Sequence, residues 1–265
     1  MQPLVTLTTD FGLKDAYVAA MKGAMLKVEH SLHIVDVTHQ VEPQDVMGAA
    51  FVLRQVIPFY PEGTVHLAVV DPGVGSARRP IAARFAGHVF VGPDNGLLSL
   101  LLEDTKPERV VVLDRGSFWG TERPARTFNG RDIFGPIAAH LASGRALEEV
   151  GTPTDTFQQL HWAHPLADDE GVQGFVVHID RFGNCVTNIS REVLENNPRS
   201  LQAKCYVGST IVEGVHNTYT DVPQGEPLVL LGSSNHLEVG VNGGDAATLL
   251  TIHKGSPVNL VYGDE

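Results

Sequence analysis

The stretch PLVTLTTDFGLKDAYVAAMKGAMLKVEHSLHIVDVT, from Pro3 to Thr38, decides the fold. Its first part is an apolar, β-branched run, which predicts a buried strand that ends near Asp10. Apolar residues then recur at helical spacing, and Asp15 is placed to cap the start of this helix. LHIVDVT predicts a second strand. A strand, a helix and a strand joined by short loops are typical of an α/β layer with a parallel sheet.

The same alternation continues along the chain. QDVMGAAFVLRQVIPFY predicts a helix that ends near Pro58, TVHLAVV, HVFVG and RVVVLD predict strands, and DIFGPIAAHLASG predicts another helix. We therefore expect an N-terminal α/β domain at residues 1–165 with a largely parallel sheet. From about Leu166, short strands separated by Gly, Asn and Pro turns predict a smaller all-β domain at 166–265, a barrel or a sandwich. The stretch GTPTDTFQQLHWAHPLADDEG is expected to link the two.

Composition excludes several classes of function. Hydrophobic residues make up 43% and charged residues 19%, as in a globular protein, and the net charge of -12 argues against nucleic acid as a partner. No apolar run is long enough to span a membrane, and MQPLVTLTTDFG does not resemble a signal peptide, so we expect a cytoplasmic protein. Cys185 and Cys205 lack CxxC spacing and are expected to be reduced thiols. The histidines show no metal-ligand spacing.

Carboxylates follow two of the predicted strands, at the sheet edge where ligands bind in open α/β folds. Asp10, in TTDFG, either caps the following turn or accepts hydrogen bonds from the vicinal hydroxyls of a ribose. Asp71, in VVDPGVGSARRP, lies seven residues before Arg78. The pair is either a surface salt bridge or an acid-base unit in a cleft. The glycines between them fit neither GxGxxG nor a P-loop, so a nucleotide phosphate site is rejected.

The second domain offers polar residues near predicted turns. IDRFGNCVTNI places Asp180, Phe182 and Asn184 around a β-turn. These three could read the edge and face of a purine, or they could form a bare hairpin turn. GSSNHLEVGVNGG supplies further loop positions, namely Ser233, Ser234 and Asn242.

The ordered set TTDFG, DVTH, DPGVG followed by Arg78, PDNG, GRDIF, DRFGN and GSSNHLEVGVNGG resembles one family along nearly the whole chain. It is the S-adenosyl-L-methionine (SAM) hydroxide adenosyltransferases, or adenosine-forming SAM hydrolases, which are related to the SAM-dependent fluorinase and chlorinase. The resemblance implies an N-terminal α/β domain and a C-terminal β-barrel domain. It also implies a homotrimer, with SAM bound between the N-terminal domain of one subunit and the C-terminal domain of its neighbour.

The resemblance also implies roles for individual residues. Asp10 would hold the ribose hydroxyls and Asp15 the ammonium group of the methionine part. The adenine side would be lined by Phe182, Asn184 and Asn242, with Asp180 beside them and Tyr219 as a candidate for stacking. Ser233 and Ser234 would meet the methionine carboxylate. The expected catalytic residues are Asp71, Arg78 and Asn129, although the family carries His where this chain has Asn129.

The implied reaction is attack of water on the ribose C5′ of SAM, which gives adenosine and methionine. A carboxylate near the water can accept its proton, so no metal or redox cofactor is expected. Two alternatives stay open at this point. A SAM-binding protein with weak or lost catalysis is one, because Asn129 cannot titrate. A 5′-halogenase is the other, and Asp71 disfavours it because the halogenases carry tyrosine there. Arg131 and Asp132 are expected to brace the loop.

Overall fold

The computed structural model describes residues 2–102 and 105–263, and the chain divides into two compact units, Met1–Trp162 and Ala163–Glu265. The strands of the first unit are β1 Leu4–Thr9, β2 His33–Thr38, β3 Val65–Val69, β4 Pro80–Phe85, β5 His88–Pro93, β6 Arg109–Val112 and β7 Thr152–Pro153. Its α-helices are α1 Tyr17–Val28, α2 Val46–Val56, α3 Leu97–Leu102, α4 Gly135–Ala142 and α5 Leu147–Val150. Two short 3₁₀ helices, Ile57–Phe59 and Gly116–Phe118, and a π-helix, Gly130–Phe134, complete the unit.

The sheet of the first unit has the strand order β2-β1-β3-β5-β4-β6-β7. The first four strands are parallel neighbours, whereas β4 runs antiparallel to both β5 and β6, and β7 is antiparallel to β6. The sheet is therefore mixed, and the prediction of a largely parallel sheet is wrong for the pairings made by β4, β6 and β7. The cause is the two-residue connection Ala86 and Gly87, whose φ angles of 45° and 77° suit a tight hairpin turn between β4 and β5.

Helices cover both faces of this sheet. On β3, Leu67 packs with Met21 and Met25 of α1 and with residues of α4, whereas the next residue, Ala68, packs with α2 and α3. Alternate residues of a strand point to opposite faces, so the side chains on both faces of the central strands are largely buried. The three layers explain why these strands are mostly apolar, with buried polar residues such as Thr6 and His66 among them.

The parallel strands bring the ends that carry carboxylates to one edge. Thr9 of β1 pairs with Val69 of β3, and each of these residues ends its strand shortly before Asp10 and Asp71 respectively. Loops beyond the carboxyl ends of parallel strands form the ligand-binding edge of such sheets. The fold therefore provides the location that the sequence predicted for a site.

One local prediction in this unit is wrong. The residue that precedes α1 is Ala16, and no side chain caps the helix, so Asp15 is not its cap. The first part of the expected linker lies within the predicted first domain and packs on the first unit, where Trp162 Nε1 donates to the Leu100 carbonyl oxygen at 2.9 Å. The Arg54 guanidinium lies 5.4 Å from the Trp162 ring centroid.

The second unit is built mainly of antiparallel strands. They are β8 Leu166–Ala167, β9 Gly171–Ile179, β10 Cys185–Ser190, β11 Lys204–Val207, β12 Thr210–Glu213, β13 Pro227–Leu231, β14 His236–Val241 and β15 Pro257–Val261. Their order is β12-β11-β15-β9-β10-β14-β13, with β8 paired to β9. A bridge between His216 and Leu230 links the segment after β12 to β13, so the sheet is nearly closed and barrel-like.

The second unit also contains short helices. They are α6 Arg191–Glu195, α7 Ala246–Leu249 and the 3₁₀ helices Pro198–Gln202 and Tyr219–Asp221. Cys185 and Cys205 are free thiols in its core, which agrees with the expectation from their spacing. Burial raises the pKa of each thiol to about 12, so both act as apolar core side chains.

Candidate active site

Asp71, Arg78 and Asn129 form a connected group in the first unit. Arg78 Nε donates to Asp71 Oδ1 at 2.8 Å, and Arg78 Nη2 faces Asp71 Oδ2. Arg78 Nη2 also donates to Asn129 Oδ1 at 2.7 Å. The turn after β3 makes this possible, since Gly75 has a φ angle of 82° and the chain returns toward Asp71 within seven residues. The resemblance groups these three residues, and the structure places their side chains in contact; their catalytic role stays a prediction.

The ion pair is buried rather than superficial. The side chains of Arg78 and Asp71 are only 10% and 7% exposed, and the Arg78 guanidinium lies 5.5 Å from the centroid of the Phe134 ring. The interpretation as a surface salt bridge is therefore wrong. Removing one partner of a buried pair leaves an uncompensated charge, which costs about 3–5 kcal/mol. A pair of this kind holds its carboxylate in one orientation.

A braced loop carries Asn129. The Asn129 Nδ2 group donates to the Ala125 carbonyl oxygen at 3.0 Å. In the same loop, Asp132 Oδ2 accepts from the Ala125 N–H at 2.7 Å, and Arg131 contacts both Asp132 oxygens. The hydrogen bond from Arg131 lowers the pKa of Asp132. The prediction that Arg131 and Asp132 brace this loop is confirmed.

Asp10 and Asp15 differ in their surroundings. Asp10 is half-buried, and its Oδ2 accepts from the backbone N–H of Gln44 at 2.9 Å. Gln44 has a φ angle of 67°, an uncommon conformation for a residue that is not glycine. Asp15 is exposed in the loop before α1. Asp10 is thus fixed in place by the backbone of another loop, and Asp15 is open to solvent.

The second unit has a cleft of about 770 Å³. Asp180, Phe182 and Asn184 form a hydrogen-bonded turn in its wall: Asp180 Oδ1 accepts from the backbone N–H groups of Phe182 and Asn184 at 2.8 and 2.9 Å, and Asn184 Nδ2 donates to Asp180 Oδ2 at 3.0 Å. The Phe182 side chain is 75% exposed. Asp180, Phe182 and Asn184 therefore form a hairpin turn and also line the cleft, so the interpretation as a turn and the interpretation as ligand-binding residues are compatible.

Tyr219 and Glu238 meet in the same cleft. The Tyr219 hydroxyl donates to Glu238 Oε1, and Glu238 is only 7% exposed. Burial raises the pKa of Glu238, and the nearby Asp180 charge acts in the same direction. Burial and the bond to Glu238 also raise the pKa of Tyr219. Glu238 is not among the residues predicted from the sequence, where its only signal is a charged residue inside the apolar strand HLEVGV.

The remaining residues predicted for the second unit are divided. Ser233 lies in the wall of the cleft. Ser234 and Asn242 lie outside that wall: the Asn242 Nδ2 group donates to the Val222 carbonyl oxygen at 2.8 Å, and the Ser234 hydroxyl is buried. The structure therefore brings together Asp180, Phe182, Asn184, Tyr219 and Ser233 in one wall, whereas the Asn242 side chain fastens a loop between two residues of that wall. The substrate-binding roles of all these residues stay predictions.

Within residues 2–102 and 105–263, no three His, Cys, Asp or Glu side chains converge as metal ligands. No helix in the same ranges is long and apolar enough to cross a membrane.

Comparisons with known proteins give one consistent match. A model of the SAM hydroxide adenosyltransferase N-terminal domain matches residues 5–151, and a model of the C-terminal domain of the same family matches residues 174–259. An (R)-S-adenosyl-L-methionine hydrolase of Thermus thermophilus is 40% identical over 98% of this chain and 100% of its own length. A protein of the same name from Salinispora tropica is 39% identical, with 98% of each chain covered.

More distant and structural matches agree with this assignment. A fluorinase of an Actinoplanes species is 28% identical over 97% of each chain. The crystal structure of an uncharacterized conserved protein from Thermotoga maritima superposes with a TM-score of 0.90 at 35% identity, over 97% of this chain and 99% of that one. The match extends over both units, so it is not limited to one domain.

Proposed function

Since the chain belongs to the SAM hydroxide adenosyltransferase family, we propose that it hydrolyses S-adenosyl-L-methionine to adenosine and L-methionine. The water oxygen forms a bond to the ribose C5′, and the C5′–sulfur bond breaks. The bonding electron pair goes to sulfur, which leaves as the neutral thioether of methionine. One water proton is released. The observation that carries the proposal is the buried Asp71–Arg78 pair with Asn129 beside it.

Asp71 is the proton acceptor in this proposal. The attacking water becomes more acidic as its bond to carbon forms, and a fixed carboxylate can accept the proton. Arg78 orients that carboxylate from one side. Asn129 contacts the same guanidinium and can donate or accept a hydrogen bond, but it cannot carry the proton. No redox or metal chemistry is required by this step.

The other predicted residues bind the substrate. Asp10 accepts hydrogen bonds from the ribose hydroxyls, and Asp15 meets the ammonium group. The cleft of the second unit receives the adenine between Phe182 and Tyr219, beside Asn184, with Ser233 toward the methionine end. We further propose a homotrimer in which the first unit of one subunit and the second unit of its neighbour complete each site. The family resemblance supports this arrangement.

The stereochemistry of the substrate follows from the relatives. The sulfonium of SAM has three different substituents and is therefore a stereogenic centre. Relatives from two organisms are named for hydrolysis of the (R) epimer. We propose that this chain likewise prefers the (R) epimer at sulfur.

A SAM-binding protein with weak catalysis is the second candidate. It is favoured by Asn129, whose amide cannot titrate where the family carries an imidazole. Halogenation is disfavoured, because a carboxylate at position 71 repels a halide ion. The relatives named fluorinase are also more distant than those named hydrolase.

One experiment distinguishes these functions. The purified chain is incubated with each SAM epimer, with and without chloride or fluoride, and the products are identified by chromatography and mass spectrometry. Adenosine and methionine that form without halide support the hydrolase, and faster turnover of the (R) epimer supports the stereochemical proposal. A 5′-halogenated product would overturn hydrolysis, and tight binding without product would favour the second candidate.

A substitution tests the role of Asp71. We expect Asp71→Asn to lower kcat by about 10²–10⁴-fold, the usual contribution of a general base, while KM changes little. Asp94→Asn is the matched control, because Asp94 is also 7% exposed and pairs with a neighbouring arginine, Arg79. An equal loss of kcat in both variants would show that the ion pair serves only stability.

A further inference from the structure

The wall of the second unit's cleft is acidic. Its residues include three carboxylates, Asp180, Glu238 and Asp245, and none of the described residues that line it is Lys or Arg. A concave surface with charge of one sign and few counterions concentrates ions of the opposite sign. A cluster of acids is not a site by itself, so the surroundings of each carboxylate decide its role.

Two of the three carboxylates are satisfied by their own loops. Asp180 accepts from the backbone N–H groups of Phe182 and Asn184, and Asp245 Oδ1 accepts from the Thr248 N–H at 2.8 Å as the cap of α7. Both therefore have structural reasons to be present. Their charges still contribute to the field in the cleft.

Glu238 has no comparable structural reason. Among the described residues, its Oε1 accepts from the Tyr219 hydroxyl, and no hydrogen bond reaches its Oε2. The residue is 93% buried, since only 7% of it is exposed, and it faces the cleft. Oε2 is accessible from the cleft rather than sealed in the core, so a positive charge or an N–H group of a ligand can reach it.

The backbone is shaped to accept this pair of side chains. A Cβ atom on residue 232 would lie 2.5 Å from Glu238 Oε2, and one on residue 240 would lie 2.9 Å from Tyr219 Cε1. Real Cβ atoms do not approach other atoms so closely, so Gly232 and Gly240 make room for the carboxylate and the ring. The Tyr219–Glu238 pair is thus built into β14 and the loop that precedes it.

We propose that Glu238 makes this cleft select the positively charged sulfonium substrate over its neutral thioether counterpart. The inference rests on the proposed function, which brings SAM to this cleft. SAM has two positive groups, its sulfonium and its ammonium, and one negative group, its own carboxylate, so its net charge is positive. Adenosine is neutral, and methionine has no net charge. The field of Glu238 therefore attracts the substrate more than either product, and hydrolysis removes the charge that it attracts.

Tyr219 is the positioning residue in this arrangement. Its hydroxyl donates to Glu238 Oε1, which stabilises the ionised carboxylate and leaves Oε2 toward the cleft. A cation that enters the cleft stabilises the ionised form further. Tyr219→Phe removes only the hydroxyl and leaves the charge of Glu238 and the aromatic ring in place, so the two residues can be tested separately.

Binding of two analogues that cannot be hydrolysed tests the proposal without turnover. One is sinefungin, in which a carbon that bears an ammonium group replaces the sulfonium, and the other is S-adenosyl-L-homocysteine, a neutral thioether. Calorimetry gives the ratio of their Kd values for the wild type, Glu238→Gln, Tyr219→Phe and the control Glu213→Gln. Glu213 is a glutamate of the same unit whose side chain is 77% exposed.

We expect Glu238→Gln to reduce the preference for the cation by about tenfold, as loss of one nearby charge predicts in a partly solvated cleft. Glu213→Gln keeps the preference of the wild type, and Tyr219→Phe, which keeps the charge of Glu238 but loses the bond that orients it, reduces the preference by less than Glu238→Gln does. An unchanged ratio in Glu238→Gln, or an equal loss in Glu213→Gln, overturns the proposal. Circular dichroism of each variant verifies that it is folded.

Adenosine release from SAM, measured together with the binding, separates the proposed hydrolysis from the role proposed for Glu238. If the wild type releases adenosine but Glu238→Gln has the same ratio of the two Kd values as the wild type, only the role of Glu238 is overturned. A wild type that binds neither analogue and releases no adenosine overturns both the proposed function and this inference.

Discussion

Asn129 makes the two hydrogen bonds that a neutral imidazole could make in its place. Its Oδ1 accepts from Arg78, as an unprotonated ring nitrogen would, and its Nδ2 donates to the Ala125 carbonyl oxygen, as a ring N–H would. The amide therefore preserves the connection between Arg78 and the loop. What it lacks is the ability to gain or lose a proton near neutral pH.

Asn129→His is expected to raise the rate of adenosine formation by about tenfold or more, because a titratable group would again be able to move a proton. The pH–rate profile of kcat should also gain an ionisation near pH 6.5, the ordinary pKa of histidine. Rates measured between about pH 5 and about pH 9 check both points.

The control for this variant is Asn196→His, which adds a histidine at an exposed position of the second unit. It should leave both the rate and the profile unchanged. A folded Asn129→His variant with the rate and pH profile of the wild type would show that position 129 only orients groups around Arg78.

At the scale of elements, the sequence predicts what is local. The βαβ start is visible because apolar spacing changes from strand to helix and back within Pro3 to Thr38. The Asp71–Arg78 pair could be anticipated because a Pro-Gly turn brings residues seven apart together. The direction of β4 could not, since it depends on positive φ angles at Ala86 and Gly87, and alanine gives no signal for such a turn.

Glu238 shows a different limit of sequence reasoning. A single charged residue in a strand does not reveal whether its side chain enters solvent or a cleft. Its position depends on Tyr219, which lies 19 residues earlier, and on the space left by Gly232 and Gly240. Contacts of this kind are determined by the pairing of β13 with β14, which the sequence does not specify.

A buried histidine pair connects three strands of the first sheet. His66 Nδ1 is 2.8 Å from Thr6 Oγ1, and His66 Nε2 is 3.2 Å from His88 Nδ1. Burial, together with the neighbouring His88, lowers the pKa of His66 to about 3. The folded chain therefore keeps His66 neutral at pH values where the unfolded chain protonates it.

We expect the free energy of unfolding to decrease as the pH falls from about 6.5 toward 3. In this window the unfolded state binds a proton at His66 that the folded state does not, which costs about 1.4 kcal/mol per pH unit. Above pH 6.5 this contribution is constant. Urea titrations between about pH 4.5 and about pH 7 measure the slope.

His66→Gln should make that dependence shallower, since glutamine can hydrogen-bond without titrating. His30→Gln, at an exposed position, is the matched control and should keep the slope of the wild type. Equal slopes in the wild type and His66→Gln would assign the acid sensitivity to other groups.

At the scale of the whole molecule, the two units carry different parts of the proposed chemistry. The first holds the Asp71–Arg78 pair, and the second holds the cleft with Phe182 and Tyr219. If each site is shared between subunits of a closed oligomer, a defect in one unit and a defect in the other can be compensated by mixing chains. If each chain forms its own site, mixing restores nothing.

Co-expression of Asp71→Asn with Phe182→Ala tests this arrangement. Phe182 is exposed, so its truncation should leave folding intact while weakening substrate binding. In randomly mixed oligomers, about one quarter of the shared sites receive an intact first unit and an intact second unit from neighbouring subunits. We therefore expect about one quarter of the wild-type kcat/KM, well above the value of either variant alone. Light scattering should give about three times the 28.6 kDa mass of the chain. Activity no higher than the average of the two variants would contradict the shared site, because every chain would then carry its own defect into its own site.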